Sequence, residues 1–292
     1  MANKPEEINI PFCEAYRKTK DILTEAGFET PAFEALCLTE KVFGFNRLAL
    51  ITKGEETVAS EEKLAVLAEL TEKRLNHEPL QYLLGKWSFM GIDLLVGEGV
   101  LVPRDDTEVV TSLCIDYLSC KESPNVIDLC AGSGAISLAL EKYANCKVTA
   151  VELSDKAFSY LTQNIKLNNS AVNALNGDIF ECHKDIADNS LDLIVSNPPY
   201  IKTADIASLQ KEVQHEPAMA LDGGESGLDF YRKIVPLWKS KLKAGGALAF
   251  ELGEGQYDEV SRILADNGFG GITESIDFGG IQRAIIGTLL QK

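Results

Sequence analysis

Over roughly the first quarter of the chain, apolar residues recur at helical intervals. Ala15, Ile22, Leu23 and Ala26 keep helix-like spacing, and Pro31 suits a first helical turn. Ser60-Glu61-Glu62-Lys63 opens a segment that carries Leu64, Leu67, Leu70 and Leu75. The pattern predicts three or four short helices between about residues 11 and 76. From Gly85 to Gly99 the period changes: Trp87, Phe89, Ile92, Leu94 and Val96 stand between glycines, as in a β-hairpin. From about Leu101 onward short apolar runs alternate with helical stretches, which predicts an α/β fold, a parallel sheet with helices on both faces. The candidate strands are 126–129, 147–152, 173–176, 191–196, 247–251, 271–276 and 283–287, enough for one seven-stranded Rossmann-like sheet. The expected organisation is a helical domain over residues 1–85, a hairpin linker over 86–100, and the sheet domain over 101–292.

A length of 292 residues agrees with two domains. The chain is 45% hydrophobic and 25% charged, and no apolar run approaches the ~18 residues that would span a bilayer. Its start, Met1-Ala2-Asn3-Lys4-Pro5-Glu6-Glu7, lacks the apolar stretch of a secretory signal, so a cytoplasmic location is expected. Cys13, Cys37, Cys114, Cys120, Cys130, Cys146 and Cys182 include no C-x-x-C pair and read as reduced thiols, with no metal site expected. A formal charge of -16 disfavours free nucleic acid as a partner.

The first candidate chemistry lies at Asn125-Val126-Ile127-Asp128-Leu129-Cys130-Ala131-Gly132-Ser133-Gly134-Ala135, a strand, a glycine turn and a helix start. Such a turn lets backbone approach a ligand closely at the end of a strand. A dinucleotide fingerprint would need a third glycine where Ser137 stands, so a pyrophosphate ligand is not expected. Glu152 ends the next strand about twenty positions after Gly132, the distance at which a carboxylate accepts ribose hydroxyls. After the following strand, Asp178 and Ile179 are candidates for an adenine contact, with a plain turn at Asp178 as the alternative. Together these residues favour an adenosine ligand without a pyrophosphate.

The second is Asn197-Pro198-Pro199-Tyr200, directly after the fourth strand. Two prolines fix two φ angles and remove two donors, which leaves a stiff loop presenting carbonyls. The Asn197 side-chain oxygen and the Pro198 carbonyl can each accept one N–H of an incoming NH2 group, while the Tyr200 ring stacks on its plane. A conjugated amide nitrogen is a poor nucleophile, and the motif carries no strong base. Positioning opposite the sulfonium methyl of S-adenosylmethionine would supply most of the rate.

The chain resembles the protein-glutamine N5-methyltransferases of the PrmC/HemK type. Gln81-Tyr82-Leu83-Leu84-Gly85, Val102-Pro103-Arg104-Asp105-Asp106-Thr107-Glu108, Ser133-Gly134-Ala135, the tetrapeptide, Glu216-Pro217, Ala220-Leu221, Gly227-Leu228 and Glu251-Leu252-Gly253 carry the likeness. The resemblance implies S-adenosylmethionine as cofactor and S-adenosylhomocysteine as product. The implied substrate is the Gly-Gly-Gln glutamine of class I peptide chain release factors. It also implies that residues 1–85 dock the release factor, that residues 104–108 approach the cofactor, and that no nucleic acid takes part. A monomer is expected. Four positions depart from the family pattern: Cys130 for the first loop glycine, Glu152 for aspartate, Asp105 for proline, and Ile179 for an aromatic. They point to a looser or shifted cofactor pocket. The tetrapeptide by itself also suits a glutamine methyltransferase of a ribosomal protein, an adenine-N6 methyltransferase acting on a flipped base, or a cofactor-binding scaffold without activity.

Overall fold

A computed structural model describes residues 10–44, 46–55 and 58–290. The polar start at residues 1–7 lies outside them. The chain divides into two units, one of Met1–Gly85 with Lys211–His215 and one of Lys86–Gln210 with Glu216–Lys292.

The first unit is built from α1 (Phe12–Glu25), α2 (Pro31–Phe43), α3 (Arg47–Lys53), α4 (Glu61–Leu75) and α5 (Leu80–Leu84), with short strands β1 (Ile10–Pro11) and β2 (Val58–Ala59). Pro31 opens α2, and the Ser60 hydroxyl caps α4 by accepting from Lys63 N–H. The buried stripe of α1 is Phe12, Ala15, Thr19 and Leu23. Ile22 is exposed, so the apolar positions at 22 and 26 were a poor guide to which face is inward. Phe12, Leu38, Phe43, Leu67, Leu80 and Leu83 form the core. Beside it Arg74 is buried on Glu34, which accepts from the guanidinium, and Arg74 Nη1 also donates to Glu212 at 3.1 Å. His77 lies 3.2 Å from the same carboxylate, so the segment Lys211–His215 folds with this unit.

In the second unit β3 (Lys86–Phe89) and β4 (Ile92–Leu95) pair antiparallel. Their Phe89, Ile92 and Leu94 are buried in the core formed with Val110, Leu138 and Leu161. The hairpin is therefore part of this unit. Then come α6 (Asp105–Leu118), β5 (Asn125–Leu129), α7 (Ala135–Ala144), β6 (Lys147–Glu152), α8 (Asp155–Leu167), β7 (Asn173–Asn176) and β8 (Leu191–Ser196). The remaining elements are α9 (Asp229–Trp238), β9 (Leu242–Glu251), α10 (Tyr257–Asp266), β10 (Phe269–Ile276) and β11 (Gln282–Leu289).

The seven strands order as β10-β11-β9-β8-β5-β6-β7. Five are parallel, but β11 pairs antiparallel with both β9 and β10, so the sheet is mixed and not wholly parallel. A short hairpin connection forces that reversal, whereas every parallel pair needs a crossover. Alternation along β8 sends Leu193 and Val195 to the core under α6 and α7, and Ile194 to the core under α9 and α10. Strand order reverses between β5 and β8, and open α/β sheets bind ligands beyond the carboxyl ends of strands at such a point. Among the described residues no helix is long and apolar enough to cross a membrane.

Candidate active site

Register brings the predicted residues together. Leu129 pairs with Ser196, whose hydroxyl donates to the Leu129 carbonyl at 2.6 Å, so the loop after β5 and the tetrapeptide after β8 leave the sheet side by side. On one flank Leu129 pairs with Val151, which puts Glu152 next to the loop. On the other, Ser196 pairs with Phe250, which puts Glu251 next to Asn197.

A cavity opens above these strand ends. Of the predicted cofactor residues Cys130, Ala131, Gly132, Ser133, Glu152, Asp178, Ile179 and Asn197 all line it, and Gly134 does not. Gly134 has a structural duty: its φ is +88°, and a Cβ there would sit 2.6 Å from Leu161 Cδ1. Of the tetrapeptide, Asn197 and Pro199 line the cavity, while Pro198 and Tyr200 do not. Val102, Pro103 and Thr107 add a second wall, and Pro217 and Met219 a third.

Both Glu152 oxygens accept backbone N–H groups, from Gly132 at 2.8 Å and Ser154 at 2.7 Å. Burial raises its pKa, and those amides partly offset the rise. Cys130 takes φ +63°, in the region where glycine is easiest, and burial pushes its thiol pKa up, so the sulfur stays protonated. Asp128, fully buried beneath the loop, accepts from Ser137 Oγ at 2.6 Å through Oδ2, whereas Oδ1 has no hydrogen-bond partner. Burial pushes this carboxyl up to about 7. Asp178 Oδ1 accepts from Phe180 N–H at 2.8 Å, so the turn role and a place on the cavity wall coincide. Ile179 is buried, and its carbonyl accepts from Trp238 Nε1 at 3.0 Å.

Asn197 Nδ2 donates to Thr107 Oγ1 at 3.3 Å, which leaves its carboxamide oxygen as the acceptor on offer. The Tyr200 hydroxyl donates to Glu251 Oε1 at 3.1 Å, and burial keeps the phenol neutral by raising its pKa. Gln256 Nε2 donates to the carbonyls of Tyr200 at 3.0 Å and Gly227 at 3.2 Å. A Cβ at Gly223 would meet Tyr200 Cα at 2.7 Å and Pro199 O at 2.8 Å, so the chain after the tetrapeptide packs directly on its backbone. Glu216, almost wholly buried, accepts from Val102 N–H at 2.8 Å and from the Arg104 guanidinium, joining two walls of the cavity.

Sequence reasoning gave no individual role to Thr107, Asn164, Glu251 or Gln256. Asn164 is the buried clip of the loop after β5, donating to Ser133 O at 2.9 Å and accepting from Leu95 N–H at 2.6 Å. It stands on a polar-looking helix, and no motif marks it. Thr107 and Glu251 fall inside segments that carry the family likeness, which was the available signal.

The cavity offers a carboxylate among backbone amides at Glu152, a second carboxylate at Asp178, and apolar walls at Ile179 and Phe230. That set suits a nucleoside bearing positive charge better than a polyphosphate. The PrmC N-terminal domain family matches residues 14–85, and the methyltransferase small domain family matches residues 95–226. A release factor glutamine methyltransferase of Geobacter sulfurreducens is 38% identical over 276 residues, covering 93% of this chain and 94% of the relative.

The chain belongs to the release factor glutamine methyltransferase family.

A second member, from Thermodesulfovibrio yellowstonii, is 37% identical over 284 residues, covering 95% of this chain and 98% of the relative. A solved methyltransferase of Pyrococcus furiosus superposes with a TM-score of 0.53 at 21% identity over 70% of this chain and 92% of that one, a likeness of fold.

Proposed function

We propose that this chain methylates the side-chain amide nitrogen of the glutamine in the Gly-Gly-Gln motif of class I peptide chain release factors. The methyl donor is S-adenosylmethionine and the product S-adenosylhomocysteine. The observation that carries the reading is the Asn197 carboxamide at the cavity wall, its Nδ2 engaged by Thr107 and its oxygen left to accept. The name shared by the relatives supports the substrate.

When bound, S-adenosylmethionine supplies a methyl group made electrophilic by its sulfonium. The loop of Cys130 to Ser133 would hold the amino-acid end, Glu152 the ribose hydroxyls, and Asp178 with Ile179 the adenine. Asn197 Oδ1, at the cavity wall, and the Pro198 carbonyl, next to it in the chain though not itself on that wall, accept the two N–H groups of the glutamine amide, and the Tyr200 ring flanks its plane from beside the cavity. These acceptors raise electron density on nitrogen and hold it in line for attack. An N–C bond forms as the C–S bond breaks, and the amide proton leaves with or after that step. No strong base is required beforehand. The two helical-unit residues Leu48 and Ile51 are apolar and exposed, as expected of a surface that docks a protein.

The test is incubation with methyl-labelled cofactor and three acceptors: a release factor, its Gln→Ala version at Gly-Gly-Gln, and duplex DNA. Label on the unaltered release factor alone is expected. Label on DNA, or equal label on both release factors, overturns the reading.

A further inference from the structure

Behind the tetrapeptide, outside the cavity, stands a carboxylate with no part in the mechanism above. Glu251 ends β9 with 1% of its surface exposed. It accepts from the Tyr200 hydroxyl at 3.1 Å through Oε1, and its Oε2 is buried without a hydrogen-bond partner. The Thr107 hydroxyl lies next to it, and that same hydroxyl accepts from Asn197 Nδ2 at 3.3 Å. A buried carboxylate without a full set of donors is costly to keep, and such groups concentrate at functional sites.

We infer that Glu251 is a positioning residue for methyl transfer: as a carboxylate it turns the Thr107 and Tyr200 hydroxyls toward itself, which fixes the Asn197 amide with its oxygen facing the substrate. A hydroxyl has one proton. If Thr107 gives its proton to Glu251, its oxygen can only accept from Asn197, so Nδ2 must point to Thr107 and Oδ1 must point away. With a donor at position 251 the Thr107 proton is free to turn toward Asn197, and the amide can flip its oxygen inward. The inference rests on the reading of Asn197 as the acceptor of the substrate amide. Glu251 acts through other residues and touches neither substrate nor cofactor.

The surroundings make the arrangement sensitive to pH. Burial raises the Glu251 carboxyl to about 7, with Asp106 at the start of α6 pushing it up and Thr107, Tyr200 and Arg283 holding it down. Arg283, from β11, is shared with Asp106 at 3.3 Å and Asp277 at 2.9 Å, and Tyr231 of α9 donates to the Glu251 main-chain carbonyl at 2.9 Å. Protonating Glu251 makes it a donor and removes the constraint on Thr107, so turnover should fall as pH drops through its pKa.

The experiment compares wild type with E251Q, T107V and T107S at saturating release factor and cofactor, across pH, with S-adenosylhomocysteine affinity measured in parallel. E251Q and T107V should lose roughly 10- to 100-fold in kcat, the scale of a small misplacement of reacting groups, with product affinity kept. T107S, which restores the hydroxyl, should recover most of the rate. The acidic limb of the wild-type kcat profile near the Glu251 pKa should vanish in E251Q. Wild-type kcat and pH profile in E251Q, or equal losses in T107V and T107S, overturn the inference. If E251Q does not fold, the T107V and T107S pair decides it. Failure of the underlying reading looks different: N197A would then keep its rate whatever position 251 does.

Discussion

Replacing Glu152 with Gln removes one charge and one acceptor at the cavity wall while preserving shape. Both carboxylate oxygens accept backbone N–H groups, from Gly132 at 2.8 Å and Ser154 at 2.7 Å. Gln keeps one oxygen and sets an NH2 where the other was, so one backbone N–H faces a donor and the loop beside Gly132 loosens. The ribose hydroxyls lose a charged acceptor as well. A hydrogen bond to a charged group contributes ~1.5–3 kcal/mol, which corresponds to roughly 10- to 150-fold in affinity. Isothermal titration with S-adenosylhomocysteine, which cannot be turned over, reads this directly. Burial raises the Glu152 pKa, so wild-type affinity should weaken on acidification as the carboxylate takes up its proton, and E152Q should lack that dependence. An unchanged Kd in E152Q refutes the assignment of the ribose to this wall.

Other outcomes follow from the same geometry. N197A should lower kcat by roughly 10²- to 10³-fold, the scale for removing one preorganised polar partner, while product binding by titration stays near wild type; a near-normal kcat would show the amide pocket misplaced. Asp128 is raised from 3.8 to about 7 by burial, so the folded protein holds its proton more tightly than the unfolded chain, and stability present below the lower value is lost as pH rises through the upper one. Thermal melts should therefore show D128N losing less stability than wild type across that window, and parallel slopes would contradict the burial argument. G134A places a Cβ 2.6 Å from Leu161 Cδ1 at a φ of +88°, and a loss of ~1–3 kcal/mol is expected by denaturant titration. In the helical unit R74M leaves the buried Glu34 carboxylate unpaired, which should cost ~3–5 kcal/mol in local stability and appear as faster amide exchange in α1, α2 and α4.

The strands and the two site segments were legible because buried parallel strands read as uninterrupted apolar runs, and because glycine and proline mark the turns that follow them. Residues 126–129 and 191–196 come close to such runs, broken by Asp128 in the first and by Asp192 and the terminal Ser196 in the second, and the structure extends the first by one residue only. The reversal of β11 was not legible, since periodicity reports burial and carries no direction. The spacing that predicts α1 does not specify its inward face: Ala15 and Leu23 are buried, but so is Thr19, while Ile22 is exposed. Within the site, Asn164 and Gln256 are ordinary polar side chains that no motif marks, and Glu251, though inside a segment that carries the family likeness, meets its partner only in the fold. Asn164 lies 31 positions from the Ser133 it clips, and Glu251 lies 51 from Tyr200. Only strand register shows that Leu129, Ser196 and Phe250 stand level, and so that Cys130 and Asn197 leave the sheet beside Glu251, the last residue of β9.

The measurement closest to the central claim is a mass-spectrometric map of a release factor treated with this chain and S-adenosylmethionine. One methyl group, localised by fragmentation to the side-chain amide of the Gly-Gly-Gln glutamine and lost in the N197A reaction, is the predicted result. A methyl group on any other residue, or the same product with N197A at the wild-type rate, contradicts it.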